Sequence, residues 1–397
     1  MTEFNIEEYL NSLPDNVEKI DVSYKSLKYL PDLSRFKNLK TLYCYFNKLK
    51  SLPDLPENLI TLICYCNQLT SLPVLNENLR ELNCYGNQLT SLPVLNNKLQ
   101  KLYCSNNELT SLPVFNENLK DLNCHGNQLT SLPVLNSKLQ KLCCSNNKLT
   151  LLPVLNENLR DLDCYGNQLT SLPVLNEKLE SLCCSKNKLT SLPVLNEKLQ
   201  YLYCNSNNLT SLPVLNNKLQ KLFCSNNQLK LLPILPENLE MLDCGFNELT
   251  SLPYLNDKLQ KLYCSNNKLT SLSILPENLE ILDCNHNQLT SLSILPENLE
   301  ILDCNHNQLT SLPYLNEKLI QLVCYNIPIF DIIYGSNFNI LNKKIKIWNN
   351  FRHLYYCLKY KKIFLRIMEP IIKKRYHPSY LNNLTENDDL DEILNKW

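Results

Sequence analysis

The chain has 397 residues, with 39 Lys plus Arg against 39 Asp plus Glu, so no global charge selects nucleic acid, an anionic membrane or an acidic substrate. Only five Gly occur (Gly86, Gly126, Gly166, Gly245, Gly335), and neither G-x-G-x-x-G nor G-x-x-x-x-G-K-[ST] is present, which excludes the nucleotide folds that cradle phosphate on backbone amides. At the other extreme stand 19 Cys with no Ala at all, a usage that points to a strongly AT-rich coding genome.

Residues 1–16 are expected to form an N-terminal helical cap, with Phe4, Ile6, Tyr9 and Leu10 on the apolar side of one short helix between Thr2 and Asn16. The opening segment MTEFNIEEYL lacks the basic and apolar regions of a signal peptide, so an intracellular location is expected. Residues 17–38 read as a first rung, carrying Val17, Ile20, Val22, Leu27, Leu30 and Leu33, with Lys25 in place of a later invariant Asn. From Leu39 to Lys318 the chain then repeats every 20 residues, fourteen times without an insertion; Ser271–Thr290 and Ser291–Thr310 are identical copies. Residues 319–330 close the array, keeping Leu319, Leu322 and Cys324 but placing Ile327 where the Asn would be.

One unit reads L-x-x-L-x-C-x-x-N-x-L-x-x-L-P-x-L, as in Leu79, Leu82, Cys84, Asn87, Leu89, Leu92, Pro93 and Leu95. The period-2 alternation of Leu82 and Cys84 predicts a short strand with its apolar side chains inward. Pro93 lacks an N–H and fixes φ, so the return is expected to be extended or polyproline-like, not helical. The Asn column from Asn47 to Asn307 is expected to bond backbone groups of its own and the adjacent rung. The unit resembles the leucine-rich repeat, with Cys replacing the third Leu, and specifically the short repeats of effectors secreted by enteric bacterial pathogens. That resemblance implies a solenoid over residues 17–330, with a parallel β-sheet on its concave face, an extended convex side and a small helical C-terminal cap.

Fifteen of the cysteines form one column, Cys44 to Cys324, leaving Cys66, Cys143, Cys183 and Cys357. Neither a disulfide framework nor paired C-x-x-C metal groups fit this even spacing, so the column reads as reduced, buried small hydrophobes. On the outward strand positions, charges alternate in sign from Glu81 to Asp161, which reads as a self-neutralising solvated face. Two outward patches are candidate partner-binding surfaces: Tyr43, Tyr45, Phe46, Ile63, Tyr65 and Tyr85 near the N-terminal end, and Tyr201, Tyr203, Phe223, Met241, Phe246 and Tyr263 further on. The recurrence of Gly86, Gly126 and Gly166 at 40-residue steps reads as the trace of a two-repeat duplication. Asp283 and His286 recur as Asp303 and His306 in the copied unit; duplication explains the pair, and no metal or cofactor is expected. His125, His353 and His377 have no Ser or Cys at a recognisable catalytic spacing, so no catalytic residue is assigned.

Residues 331–397 are expected to be a basic helical module; from Tyr325 onward twelve positive side chains stand against seven negative ones. Trp348, Phe351, Tyr355 and Leu358 predict one face of an amphipathic helix that packs on the last rung around Cys324, with Pro370 and Pro378 interrupting and Thr385 and Asp388 opening a last helix. The segments RIMEPIIKKRYHPSYL and DDLDEILNKW resemble a tail shared by many proteins of giant viruses that infect amoebae, which implies a viral origin more than an activity. Together these readings favour a monomeric, non-enzymatic scaffold whose concave face binds a host or viral protein, with no nucleic-acid partner and no membrane span. The alternatives are an adaptor whose tail docks to common machinery, or a ubiquitin-ligase effector. For the latter, 73 residues are too few, and Cys357 in YYCLKY lacks the expected acidic neighbour.

Overall fold

A computed structural model of the chain describes residues 4–325 and 338–359, together with Arg366. Sixteen three-residue strands form one parallel sheet in strict chain order, from β1 (Lys19–Asp21) and β2 (Thr41–Tyr43) through one strand every 20 residues to β16 (Gln321–Val323). The register never slips: Leu42 pairs with Leu62, Leu62 with Leu82, and so on to Leu302 with Leu322. Backbone bonding continues past each strand, since Cys84 donates to the Tyr103 carbonyl and Gly86 to that of Ser105, at 2.8 and 2.9 Å.

The central Leu of nearly every strand is buried, the Cys two residues on is buried at all fifteen rungs, and the flanking strand residues face solvent in part. This is the pleat alternation the sequence predicts. No rung encloses its own apolar side chains, so Leu, Cys and the return-segment Leu form one continuous core along the stack.

The Asn column does what its spacing predicts. Asn87 donates through Nδ2 to the carbonyls of Cys84 (3.0 Å) and Cys64 (3.2 Å), and its Oδ1 accepts the Leu69 N–H at 3.0 Å. A second amide ladder runs down the return segment: Asn96 Nδ2 donates to the Asn76 carbonyl at 2.8 Å, and Asn116 to that of Asn96 at 2.7 Å. A third set alternates Asn with Lys, so that Lys98 Nζ donates to Asn78 Oδ1 and Lys138 Nζ to Asn118 Oδ1, at 2.8 and 2.7 Å.

Each turn from strand to Asn passes through a left-handed residue. Thirteen non-glycine residues have positive φ, among them Phe46 (50°), Asn106 (49°) and His286 (50°), and Gly86, Gly126 and Gly166 occupy the same position on their rungs. Turning at every rung thus relies on strained L-residues far more often than on Gly.

Both ends of the described solenoid are covered. Helix α1 (Ile6–Ser12) is N-capped by Asn5, whose Oδ1 accepts the Glu7 and Glu8 amides, and it buries Ile6 and Leu10 against the first rung. Arg35 donates to the Leu10 carbonyl at its end. At the other end α2 (Phe338–Lys359) packs through Leu341, Ile345 and Trp348; of the seam the sequence predicts, Trp348 packs and Phe351 faces outward, while the side chains of Tyr355 and Leu358 lie outside the described residues. Its polar anchors also differ from the expected contact with the Cys324 rung. Asn342 bonds both the N–H and the carbonyl of Leu315, Trp348 Nε1 donates to the Thr310 carbonyl and Asn349 to that of Leu312, each at 2.9–3.0 Å. The helix therefore meets the return segment of the fourteenth repeat. The expected breaks at Pro370 and Pro378 and the last helix after Thr385 lie outside the described residues.

Candidate protein-interaction face

Three side-chain columns stand on the outer face of the sheet: the residue before each strand Leu, the residue after it, and the residue after the Cys. Because register is constant, side chains at equal positions stack on neighbouring rungs, so sequence variation at a 20-residue step becomes a surface pattern.

At the N-terminal end this stacking joins the aromatic residues into one run. Tyr45 and Tyr65 stack with ring centroids 4.5 Å apart, Phe46 meets Tyr65 edge-on at 5.4 Å, Tyr43 lies 6.2 Å from Tyr45 and Tyr85 6.4 Å from Tyr65. Tyr24, which the sequence reading omitted, completes the run by stacking on Phe46 at 4.7 Å and is itself 66% exposed. Its signal is the position of Phe46 one rung earlier, hidden because the first rung is two residues longer and the step is 22. Ile63 pairs with Tyr43 in the strand ladder, and Lys19 Nζ sits 4.6 Å over the Tyr43 ring. Desolvation, with Tyr45 and Tyr24 adding to it, raises the Tyr65 phenol above its ordinary range.

The second patch is less continuous. Tyr203 stacks on Phe223 at 4.9 Å, and Lys221 Nζ lies 5.7 Å from the Tyr201 ring. Asp243 then stands between Phe223 and Tyr263 in the ladder. Its carboxylate accepts from Ser225 Oγ at 2.8 Å and the Gly245 amide at 3.2 Å, while burial raises its pKa. Met241 is half-buried on the same strand and Phe246 is exposed at the turn. The six residues are thus a stacked pair with Tyr201 and Met241 beside it, plus two aromatic side chains beyond an acidic break.

Between the patches lies the polar stretch that carries the alternating charges from Glu81 to Asp161. Tyr103 donates to Asp121 at 2.9 Å, and burial together with that bond raises its pKa. His125 Nδ1 lies 2.8 Å from Ser145 Oγ, which is 3.3 Å from Cys143 Sγ, and Cys143 donates to Asp163 at 3.4 Å. Burial raises the Cys143 thiol and pushes the Cys183 thiol up to about 11, with the Asp163 charge adding to both. Protonated thiols are poor nucleophiles. The chain of contacts therefore reads as packing of polar groups, not as an activated cysteine. Of the alternating charges, Lys101 meets Glu81 at 3.7 Å and Lys141 meets Asp161 at 3.8 Å, each pairing an exposed Lys with a partly exposed carboxylate.

Near the C-terminal end His286 and His306 stack at 4.0 Å, and Asn285 bridges Asp283 and Asp303 at 2.7 and 3.2 Å. Burial raises the Asp283 pKa, and the charge of Asp303 adds to it. Among the described residues no group of three His, Cys, Asp or Glu is arranged to hold a metal ion, and no helix is long and apolar enough to cross a membrane.

The repeat is also legible in other proteins. A family model described as leucine rich repeats (2 copies) matches residues 237–277 and 257–297. A sequence comparison with curated proteins finds no match. Among solved structures, YopM from Yersinia enterocolitica WA-314 is 33% identical with a TM-score of 0.69, covering 81% of this chain and 82% of that one. YopM from Yersinia pestis, a leucine-rich effector protein, is 34% identical with a TM-score of 0.72, covering 77% and 88%. The functional domain of InlJ from Listeria monocytogenes, which includes a cysteine ladder, is 31% identical with a TM-score of 0.67, covering 74% and 69%.

Proposed function

We propose that this chain, which belongs to the leucine-rich repeat family, is a non-enzymatic scaffold that binds a protein partner on the outer face of its sheet. The observation that carries the reading is the N-terminal aromatic run from Tyr24 to Tyr85. Stacked, solvent-facing Tyr and Phe on a rigid sheet present a large amphipathic contact area at low entropic cost, the composition favoured at interface centres. The Tyr203 and Phe223 pair is the second contact. Similarity to leucine-rich effector proteins supports a partner met in a host cell, and the tail's resemblance to giant-virus proteins makes that partner a host or viral protein during infection. The free cysteines, 18 among the described residues, fit a reducing intracellular compartment.

Docking through the tail is the weaker reading, because the inward face of α2 is already used against Thr310, Leu312 and Leu315. Affinity capture from infected cells tests the proposal. Tyr45→Asp with Tyr65→Asp is expected to lose a partner that the full-length protein retains; if the same partners are captured with the fold intact, the aromatic run is not the binding site. The same capture with residues 1–324 separates the scaffold from the tail.

A further inference from the structure

The side of the solenoid away from the sheet carries a feature that partner binding on the concave face leaves unused. The residue after each return-segment Pro or Ser points outward, and at every twentieth position from Val74 to Tyr314 it is Val, Ile or Tyr. The aliphatic members of this line are 82–90% exposed, from Val114 at the lower end to Ile294 at the upper, and Tyr254 and Tyr314 are 72% and 70% exposed. The two preceding rungs have Asp32 and Asp54 at the same position. The apolar character therefore begins abruptly and persists over thirteen consecutive rungs.

A single exposed Val needs no explanation, but a contiguous line does. At roughly 100 Å² of apolar side chain per position, the ridge offers on the order of 1,000 Å², against about 300–600 Å² for the largest patch on an ordinary monomer. An interface of about 800 Å² per partner therefore takes up most of the ridge. Nothing in the folding of one chain requires these side chains to be apolar, because the buried Leu next in sequence, such as Leu75 and Leu95, closes the core without them.

We propose that this ridge is a homodimer interface, and that two copies of the chain pair back to back along it, leaving both concave faces open. The ridge is self-complementary: each rung presents nearly the same side chain, so it reads alike in both directions. A two-fold rotation lays it on itself, with each Val seated between two of the partner's at the rung spacing of about 4.8 Å. The chain's formal net charge is zero, so two copies meet without net repulsion. On one flank the ridge is fenced by exposed Glu such as Glu77 and Glu117 and by the Asn and Lys alternation, which supplies the polar rim of an apolar interface. The same row of Glu makes an anionic lipid surface a poorer occupant. This pairing replaces the monomer expected from sequence alone, and it does not depend on what the concave face binds.

Sedimentation equilibrium of the full chain at concentrations up to about 100 µM tests it, a range that detects even a weak dimer. The expected mass is twice the 46.2 kDa of the chain. Replacing Val134, Val154, Val174 and Val194 together with Lys is expected to weaken dimerisation at least about 100-fold, while circular dichroism stays unchanged because all four are exposed and the thermal midpoint matches that of the parent at a concentration where the parent is monomeric. Tyr203→Asp is expected to leave the dimer intact. A parent chain that is monomeric throughout the range overturns the proposal, as does a dimer that survives the four Lys substitutions, or binding of the monomer to phosphatidylserine vesicles through the ridge.

Discussion

Asn106 places its side-chain oxygen in the space that a Cβ on Gly126 would occupy, one rung further along the stack. Asn146 stands in the same relation to Gly166. Both glycines have φ near +65°, and both Asn residues are themselves left-handed, at +49°. At these two rungs the Asn side chain fills the space that the glycine leaves, although Asn226 and Asn266 at the same position are followed by Phe246 and His286, so the glycine permits this placement and is not required by every Asn. Gly126→Ala is expected to lose about 1–3 kcal/mol through left-handed strain and overlap with Asn106. Adding Asn106→Gly is expected to restore part of that loss, measured as the shift in urea midpoint. If the double variant is no more stable than Gly126→Ala, the overlap plays no part.

The Asn ladder is expected to be far less tolerant. Asn147 is buried, donates to the carbonyls of Cys124 and Cys144 at 3.0 Å, and accepts the Leu129 amide at 3.0 Å. Asn147→Ala strands the Leu129 amide and leaves the Cys124 and Cys144 carbonyls with one amide donor each, from Asn127 and Asn167, a cost of about 1–3 kcal/mol. Asn147→Asp keeps the acceptor but turns a donor into a carboxylate oxygen facing carbonyl oxygens, so it is expected to be at least as damaging near neutral pH and to improve as the carboxyl protonates on acidification. Equal urea midpoints for the parent and both variants would show that the ladder does not hold the turns.

The cysteine column makes a prediction in pH. Burial pushes the thiols of Cys44 and Cys84 up to about 12 from an ordinary value of 9.0, and raises the rest of the column in the same direction. A group whose folded pKa is raised favours the fold while it is protonated in both states. Stability is therefore fully present below pH 9 and falls as pH rises from there toward 12, because the unfolded chain releases its protons first. The urea midpoint should be flat between pH 7 and 8 and drop steeply above 9. In a Cys357→Ser background, a thiol reagent at pH 8 should modify only the half-buried Cys66, Cys143 and Cys183 until the chain unfolds. Rapid labelling of Cys144 in the folded protein would contradict the burial of the column.

The strand register, the inward Leu and Cys and the Asn ladder were all legible, because each rests on a residue type recurring at a fixed step whose chemistry allows one role. Less legible were features whose meaning depends on a neighbour 20 residues away. Nothing in the string around Phe46 or Asn106 announces a left-handed backbone, and only stacking shows that Asn106 fills the place above Gly126. Asp243 reads as one more variable residue until pairing sets it between Phe223 and Tyr263 and breaks the second aromatic patch. The Val column was visible at the same period as the Leu columns, but exposure of 82–90% along the ridge cannot be read from periodicity, since an outward and an inward apolar column repeat identically. For α2, the contacts of Leu341 and Ile345 beside Trp348 were not visible in the string, and they accompany Asn342 meeting both backbone groups of Leu315.

That Asn342 contact supplies the last prediction. Leu315 is fully buried, and its N–H and carbonyl lie on the return segment of the final repeat. A helix side chain thus ties the last complete repeat to the cap that closes the stacked array. Asn342→Ala leaves the Leu315 amide without a partner, at about 1–3 kcal/mol. In a nearest-neighbour stack that loss falls on the terminal rungs first. Hydrogen exchange at Leu315 and along β15 (Ile301–Asp303) is expected to accelerate roughly tenfold to a hundredfold, while β7 (Lys141–Cys143) keeps its protection. Trp348→Phe removes the bond to the Thr310 carbonyl but keeps the ring, and should give a smaller acceleration confined to the same end. Unchanged protection at Leu315 in Asn342→Ala would mean that apolar burial of Leu341 and Ile345 alone seats the helix. Uniform acceleration from β2 to β16 would mean that the array unfolds as one unit, leaving the cap no local role.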